Sequence, residues 1–343
     1  ARAPHRGGRH RLPAHRLQRP VPVRRAPAVR QHQLRHLPRR LHPLCFLLGS
    51  IFLLMPLVHA QQDSQYTQYM YNPLTINPAY AGAREMLSFT GIYRNQWVGL
   101  DGAPETMTFS GHSPLGYSPI GVGLNFTSDK IGPASESLIT ADVSYTIALG
   151  KTLKLAFGVK GGLSLLDVNP DKLLIYDPDD YDLSRRNYSS PIIGAGLFLH
   201  SDTWYMGLSS PSLLETEHYD DVQVSTATEK MHLYLLGGYV FTLSSELKLK
   251  PALMAKAVPG APMAIDLSAN ALFMDRYSLG LAYRLDAAVS GLAAFQVNRY
   301  ILVGYAYDYE TTDLSRYGDG SHEIFLRFEW GRRNDSKVNP RFF

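Results

Sequence analysis

Residues 151–165 read KTLKLAFGVKGGLSL and contain the pattern that decides the fold. Bulky apolar side chains recur at every second position from Leu153 to Leu165, with Gly161 taking one place in the series. The positions between them hold lysine, alanine, glycine, serine and no bulky apolar side chain. Because successive side chains of a β-strand point to opposite faces, this alternation predicts a strand with one apolar and one polar face.

The same alternation recurs along the chain after residue 86. It predicts fourteen strands, at residues 87–93, 104–112, 119–128, 136–149, 152–165, 191–200, 203–210, 229–242, 246–257, 262–274, 276–287, 289–298, 300–309 and 321–331. Their polar faces carry charged side chains that we predict to line an interior: Asp142, Lys154, Lys160, Lys248, Lys250, Asp266, Arg284, Asp308 and Arg327.

Two architectures fit such strands, a soluble β-sandwich and a transmembrane β-barrel. The connections between the predicted strands alternate between short and long, and many of the 21 tyrosines lie near strand ends. Both features are typical of bacterial outer-membrane barrels, with their short periplasmic turns and aromatic girdles. Since the backbone groups of a strand edge must be paired in lipid, lipid-facing strands have to close into a barrel. The pattern favours an all-β, transmembrane antiparallel up-and-down barrel of about 14 strands over residues 87–331.

The charge of the chain is unevenly distributed. The formal net charge is +4, but residues 1–44 contain twelve arginines and no lysine, aspartate or glutamate. Residues 61–343 hold 22 basic and 30 acidic side chains, a net charge of −8, and the single cysteine is Cys45. This composition disfavours nucleic-acid binding by the main part of the chain, and disfavours disulfides and thiol chemistry there.

The first sixty residues predict export. Residues 1–43 alternate Arg, Pro and His without hydrophobic periodicity, and we interpret them as an over-extended gene start rather than a basic nucleic-acid or membrane arm. Residues 44–58 form an apolar run that ends in Val58-His59-Ala60, which resembles a signal-peptidase site. We therefore expect residues 44–60 to be a signal peptide and the mature chain to begin at Gln61.

Residues 61–86 precede the first predicted strand and are polar and aromatic, which predicts a periplasmic segment or a plug. They contain NPAYAG at residues 77–82, which by itself indicates a coil with an Asn-Pro turn. This string, with YRNQW at 93–97, GSHEI at 320–324 and NPRFF at 339–343, resembles the PorP/SprF family of outer-membrane proteins from Bacteroidota. That family is associated with type IX secretion and gliding.

The resemblance implies a non-enzymatic accessory barrel in the outer membrane. Such a barrel assists the secretion or anchoring of large adhesins with a C-terminal sorting domain, or couples to the periplasmic ring of the secretion machine. Its implied partners are membrane lipid and these proteins, and the alternative function is a passive diffusion porin. We predict that partner binding involves Asn77, Pro78, Tyr80, Gly82, Trp97, Asp179, Asp180, Asp220 and Asp221.

The sequence gives little indication of catalysis or of a bound metal or cofactor. The histidines after residue 60 have no recognisable nucleophile motif beside them. The string DPDDYD at residues 177–182 lacks the glycine and distal glutamate of a calcium loop, so we interpret it as a solvated loop.

The inward lysines and arginines have two equally good interpretations. They could line an anion-selecting pore, or they could pair with inward acids or hold a plug. We expect the basic tail at residues 332–343 to lie near a periplasmic partner or the barrel mouth.

Overall fold

A computed structural model of the chain describes residues 66–169, 186–214, 216–217, 228–316 and 318–331. The predicted leader over residues 1–60 and the predicted tail at 332–343 lie outside the described residues. Within the described ranges, no helix is both long enough and apolar enough to cross a membrane.

Fourteen of the described strands close into an antiparallel barrel. They are β1 Leu87–Asn95, β2 Glu105–Pro114, β3 Ile120–Ile131, β4 Ala134–Ala148, β5 Lys154–Val168, β6 Arg186–His200, β7 Trp204–Ser210, β8 Leu233–Tyr239, β9 Leu247–Ala257, β10 Ala264–Phe273, β11 Tyr277–Arg284, β12 Ala288–Gln296, β13 Ile301–Glu310 and β14 Ser321–Trp330. A short extension of β8, Phe241–Thr242, also pairs with β9, and Thr216–Glu217 pairs with Thr228–Glu229 in the β7–β8 connection. The predicted up-and-down barrel is confirmed.

The barrel closes where its first strand pairs with its last. Leu87 lies opposite Trp330 and Asn95 lies opposite His322, so β1 and β14 are in register over the whole of β1. Every other barrel strand pairs with its two neighbours in the chain. The ring therefore has no unpaired edge to leave backbone N–H and C=O groups unsatisfied in lipid.

The two faces of each strand differ as the alternation predicts, and β5 shows this most simply. Phe157, Val159 and Leu163 point outward with 44%, 60% and 53% of their surfaces exposed. Lys160 and Ser164, on the other face, are buried in the interior. A soluble sandwich would bury the apolar face instead. This arrangement excludes the sandwich and fits a barrel whose outer surface meets hydrocarbon.

The connections form two different rims. The short-turn rim consists of the connections at residues 115–119, 149–153, 201–203, 243–246, 274–276 and 297–300. The described residues of the long-loop rim belong to the connections at 96–104, 132–133, 169, 211–214, 216–217, 228–232, 258–263, 285–287, 311–316 and 318–320. The barrel begins and ends at the short-turn rim. Short turns face the periplasm in bacterial barrels, so the long-loop rim is assigned to the outer face.

Three local features differ from the predicted strands. The β3–β4 connection is only residues 132–133, shorter than predicted, because pairing continues to Ile131 opposite Ala134 and Gly132 adopts a positive φ of 55°. Strand β6 starts at Arg186, before the predicted residue 191. Strand β8 is interrupted at Val240, which is buried and donates its N–H to Thr203 O at 2.7 Å, in the turn just before β7.

A charged side chain on the outer surface should destabilise the barrel according to its depth in the membrane. Leu281 of β11 is 68% exposed in the middle of its strand, so Leu281→Arg should cost about 2–4 kcal/mol of unfolding free energy. Leu243, in the turn after β8, lies at the short-turn rim, and Leu243→Arg should cost about 0–1 kcal/mol. Denaturant unfolding from lipid vesicles measures both, and equal costs would contradict the lipid-facing assignment.

Candidate functional site

Residues 66–83 lie inside the barrel and are called here the lumen segment. Leu74, Asn77 and Ala79 have no exposed surface, and most of their neighbours in the segment are almost fully buried. The segment contains three short 3₁₀ helices, Tyr69–Tyr71, Pro73–Thr75 and Pro78–Tyr80. The chain therefore fills the space enclosed by its own strands with its own N-terminal residues.

Two Asn-Pro pairs give the lumen segment its compact path. Pro73 and Pro78 each begin a 3₁₀ helix, where proline's fixed φ is favourable and its missing N–H leaves no donor unpaired. The side-chain oxygen of Asn77 accepts the N–H of Ala79 at 2.9 Å, which caps the second of these helices. The turns are thus encoded locally, before any contact with the barrel.

Near the long-loop rim, the lumen segment is held by two carboxylates and one arginine. The Glu323 carboxylate accepts the backbone N–H groups of Thr67 and Gln68, both at 2.9 Å. The Thr67 hydroxyl donates to Asp308 at 2.6 Å. Arg94 Nη1 lies 2.7 Å from Asp308 Oδ2 and 3.1 Å from Glu323 Oε2. All five residues are buried, and we call them the acid–arginine cluster.

In the middle of the lumen, the segment is held through Tyr71. Arg327 donates to the Tyr71 carbonyl oxygen at 2.6 Å, and its guanidinium carbon lies 5.6 Å from the centre of the Tyr71 ring. The same ring stacks on Phe325 with 4.3 Å between the ring centres, and Lys250 Nζ lies 5.8 Å from it. Cations over a desolvated aromatic face stabilise such packing.

The following part of the segment lies against a wall shaped by four inward glycines. They are Gly121 of β3, Gly158 of β5, Gly196 of β6 and Gly207 of β7, which we call the glycine seat. A Cβ at Gly158 would overlap the backbone of Ala79, and a Cβ at Gly196 would overlap the side-chain amide of Asn77. That amide donates to Leu197 O at 3.0 Å. Side chains at the seat would displace the segment.

Polar side chains of the same wall bind main-chain carbonyls of the segment. Lys160 Nζ donates to Thr75 O at 2.9 Å, Ser209 Oγ to Ile76 O at 2.8 Å and Ser144 Oγ to Ala81 O at 2.7 Å. Buried carbonyls that lack a neighbouring strand or helix need such partners. The polar inner face therefore replaces the hydrogen bonds that regular secondary structure would supply.

The segment leaves the barrel at the short-turn rim. Gly82 has a φ of +72° and donates its N–H to His112 Nδ1 at 3.1 Å. Arg84 then forms an ion pair with Glu329, and Glu85 one with Lys154. These contacts fix the connection from the lumen segment to β1, so the chain is anchored near both ends of the barrel.

The residues predicted to bind a partner fall into three groups. Four belong to the lumen segment: Asn77, Pro78, Tyr80 and Gly82. Trp97 lies in the β1–β2 connection, where its indole N–H donates to Glu310 at 3.0 Å. Asp179, Asp180, Asp220 and Asp221 lie outside the described residues. A role of these residues in partner binding stays a prediction.

The charged residues predicted to line the lumen take two positions. Seven are buried in the barrel interior: Asp142, Lys160, Lys250, Asp266, Arg284, Asp308 and Arg327. Lys154 and Lys248 lie at the short-turn rim, where Lys154 pairs with Glu85 and Lys248 with Asp275. Inside, Arg284 lies 2.8 Å from Asp266, and Lys160 Nζ lies 3.7 Å from Asp142. The cations of the interior therefore contact inward acids or the lumen segment.

Sequence reasoning did not assign the site's main contacts. In the sequence, Arg94 stands out only as part of the YRNQW string, although it shares the inward parity of Thr90 and Ile92 in β1. The inward position of Gly158 in β5 could likewise be read from parity. Its contact with Ala79 could not be predicted, because nothing in the local pattern relates a strand to residues far away in the chain.

Within the described part of the chain, no group of three or more His, Cys, Asp or Glu residues is placed to hold a metal ion.

Residues 58–328 match a family model described as "Type IX secretion system membrane protein PorP/SprF". The chain belongs to this family. The match confirms the resemblance read from the residue strings, and it includes both the lumen segment and nearly the whole barrel. PorP/SprF proteins are membrane components of a secretion system, and this member has the fold of an outer-membrane barrel. No curated protein matches this PorP/SprF chain.

Solved outer-membrane barrels are among the structures to which this PorP/SprF protein is similar. The toluene transporter TbuX of Ralstonia pickettii is 9% identical, with 77% of this chain and 93% of TbuX covered and a TM-score of 0.46. Omp33 of Acinetobacter baumannii is 8% identical, with 72% and 98% covered and a TM-score of 0.44. The monoaromatic hydrocarbon channel CymD is 12% identical, with 80% and 95% covered and a TM-score of 0.46.

A methyl group at the glycine seat should loosen the lumen segment. Gly158→Ala overlaps the Ala79 backbone, and such overpacking costs about 1–3 kcal/mol of unfolding free energy. Gly161→Ala is the matched control, since it lies on the outer face of the same strand with no atom within 4 Å. It should change the stability by less than about 0.5 kcal/mol. Denaturant unfolding measures both, and an equal loss would show that strand backbone rather than the seat is responsible.

Proposed function

We propose that this PorP/SprF protein is a non-enzymatic accessory barrel of type IX secretion that binds other polypeptides at its rims. Its partners are large secreted adhesins with a C-terminal sorting domain, which it helps to secrete or to anchor, or the periplasmic ring of the secretion machine. The observation that carries this proposal is the occupied lumen. A barrel filled by its own chain is suited to binding rather than to passage.

The lumen segment runs most of the distance between the rims. Thr67 binds Glu323, which is two residues inside the long-loop end of β14. Gly82 binds His112, which is two residues inside the short-turn end of β2. Since the residues between these two contacts are nearly all buried, a large partner has the two rims as its accessible surfaces.

The long-loop rim contains an ordered surface that supports binding on the outer face. The β1–β2 and β13–β14 connections bind each other, with Val98 N donating to Gly320 O at 2.9 Å and Asp319 N to Val98 O at 2.7 Å. Gly132 N also donates to Gly102 O at 3.0 Å, which joins the β3–β4 turn to the same surface. Loops fixed in this way lose less conformational entropy when a partner binds.

Location in the outer membrane agrees with this function. The barrel fold and the family are those of an outer-membrane component of a secretion system. The signal peptide predicted at residues 44–60 would supply the route of export. In that membrane, the long-loop rim meets secreted proteins and the short-turn rim meets the periplasmic machinery.

Conductance separates this proposal from the alternative, a passive diffusion porin. The purified protein in a planar lipid bilayer should give no large steady conductance, because residues 66–83 occupy the lumen. A variant lacking residues 66–83 should conduct more than the intact protein if it inserts. A large, steady conductance from the intact protein would support the porin and contradict the proposal.

Deleting the gene should remove sorting-domain adhesins from the cell surface, measured by mass spectrometry of surface-labelled proteins. Complementation with a chain carrying a six-residue insertion after Asp101, on the long-loop rim, should restore barrel levels but not adhesin display. The matched insertion after Gly116, on the short-turn rim, should leave display intact if adhesins bind at the outer face. It should impair secretion if coupling to the ring is the function.

Unchanged adhesin secretion and display in the deletion strain would contradict the proposed function. Immunoblots of outer-membrane fractions provide the control for barrel abundance, because both insertions fall in exposed turns outside the strands.

A further inference from the structure

Two exposed arginines lie on outward-facing aromatic rings at the short-turn rim. The guanidinium carbon of Arg276 is 4.9 Å from the centre of the Phe295 ring and 5.9 Å from that of Tyr277. The guanidinium carbon of Arg299 is 4.5 Å from the Tyr300 ring, which stacks on Trp330 with 5.6 Å between ring centres. The two arginines come from consecutive short turns, at residues 274–276 and 297–300.

Neither arginine forms an ion pair with a carboxylate in the described part of the chain. The acid next to Arg276 in sequence, Asp275, is instead paired with Lys248. The turn that carries Arg299 contains no acid. As far as the described residues are concerned, both positive charges are available to a ligand, and the aromatic rings beneath them help to fix their positions.

The long-loop rim lacks this combination among the described residues. Its outward aromatic residues include Tyr93, Tyr283 and Tyr309, and no described arginine or lysine lies over their rings. Aromatic girdles occur at both interfaces of a barrel, so rings alone do not distinguish the rims. The arginines over the rings do, because among the described residues exposed arginines stack on outward rings only at the short-turn rim, which is assigned to the periplasmic leaflet.

A shallow groove continues from Arg276 along the outer surface of β12. After Phe295, the next outward residues are Ala293 and Gly291, and no atom lies within 4 Å of a Cβ built at Gly291. Leu281 of β11 and Tyr307 of β13 lie directly opposite Gly291 on either side. Small residues between larger ones leave a channel that follows the strand toward the membrane centre, as an acyl chain does.

We propose that Arg276 and Arg299, with the rings beneath them and the groove along β12, bind an anionic phospholipid of the periplasmic leaflet. The guanidinium groups donate to the lipid phosphate, for which their planar fork of N–H donors is suited. One acyl chain lies in the groove over Gly291 and Ala293. The site is independent of the partner-binding function and concerns how the barrel is seated in its membrane.

The test compares lipids added to the intact protein in detergent, with the melting temperature as the measure of binding. Short-chain phosphatidylglycerol should stabilise the protein more than phosphatidylcholine of the same chain length. The double variant Arg276→Gln/Arg299→Gln should bind phosphatidylglycerol about tenfold more weakly or worse, as expected when charge-assisted hydrogen bonds are lost. Gly291→Leu, which fills the groove and changes no charge, should also weaken binding.

Arg316→Gln is the matched control, because Arg316 is an exposed arginine on the long-loop rim, 3.2 Å from Asp313. It should bind phosphatidylglycerol as the unmodified protein does. Inorganic phosphate alone should give no stabilisation, and stabilisation equal to that from the lipid would overturn the lipid assignment. Equal stabilisation by the two lipids, or unchanged binding in the double variant, would also overturn it. Heat-dependent migration in SDS gels verifies that each variant is folded.

Discussion

The carboxylate of Glu323 is where barrel closure and occupation of the lumen depend on each other. A buried carboxylate without partners costs several kcal/mol, so its surroundings have to supply donors. Arg94, directly opposite in the β1–β14 pair, supplies one, and the N–H groups of Thr67 and Gln68 supply two more. First strand, last strand and lumen segment are therefore stabilised by one shared set of hydrogen bonds.

The interior of this barrel is polar in composition but packed like a protein core. Its charges are arranged in short buried pairs such as Arg284 with Asp266, or are directed at main-chain groups of the lumen segment. The outer surface is apolar because it meets lipid. The rims, whose loops and turns lie outside both environments, are the surfaces we propose for contact with other proteins. This division assigns one kind of interaction to each surface of the molecule.

The strands could be predicted because lipid and lumen impose opposite polarity on successive residues, as Val159 and Lys160 illustrate. The break in β8 could not, because Val240 keeps the inward parity of Leu236 and the interruption is evident only in the structure. The path of residues 66–83 was also beyond the sequence pattern. Its turns are local, but its contacts join residues more than two hundred positions apart, such as Gln68 and Glu323. The NPAYAG string at residues 77–82 resembles the family but does not indicate where the segment lies in the structure.

The dependence of Thr67 and Gln68 on Glu323 joins nearly the first described residues of the chain to its last strand. A chain cut before β14 would lose the strand that closes the ring and, with it, the acceptor for these two N–H groups. It would retain an open strand edge and an unanchored N-terminal segment, both of which promote aggregation and degradation. Only a chain that extends through β14 can therefore close the barrel and bind the lumen segment within it.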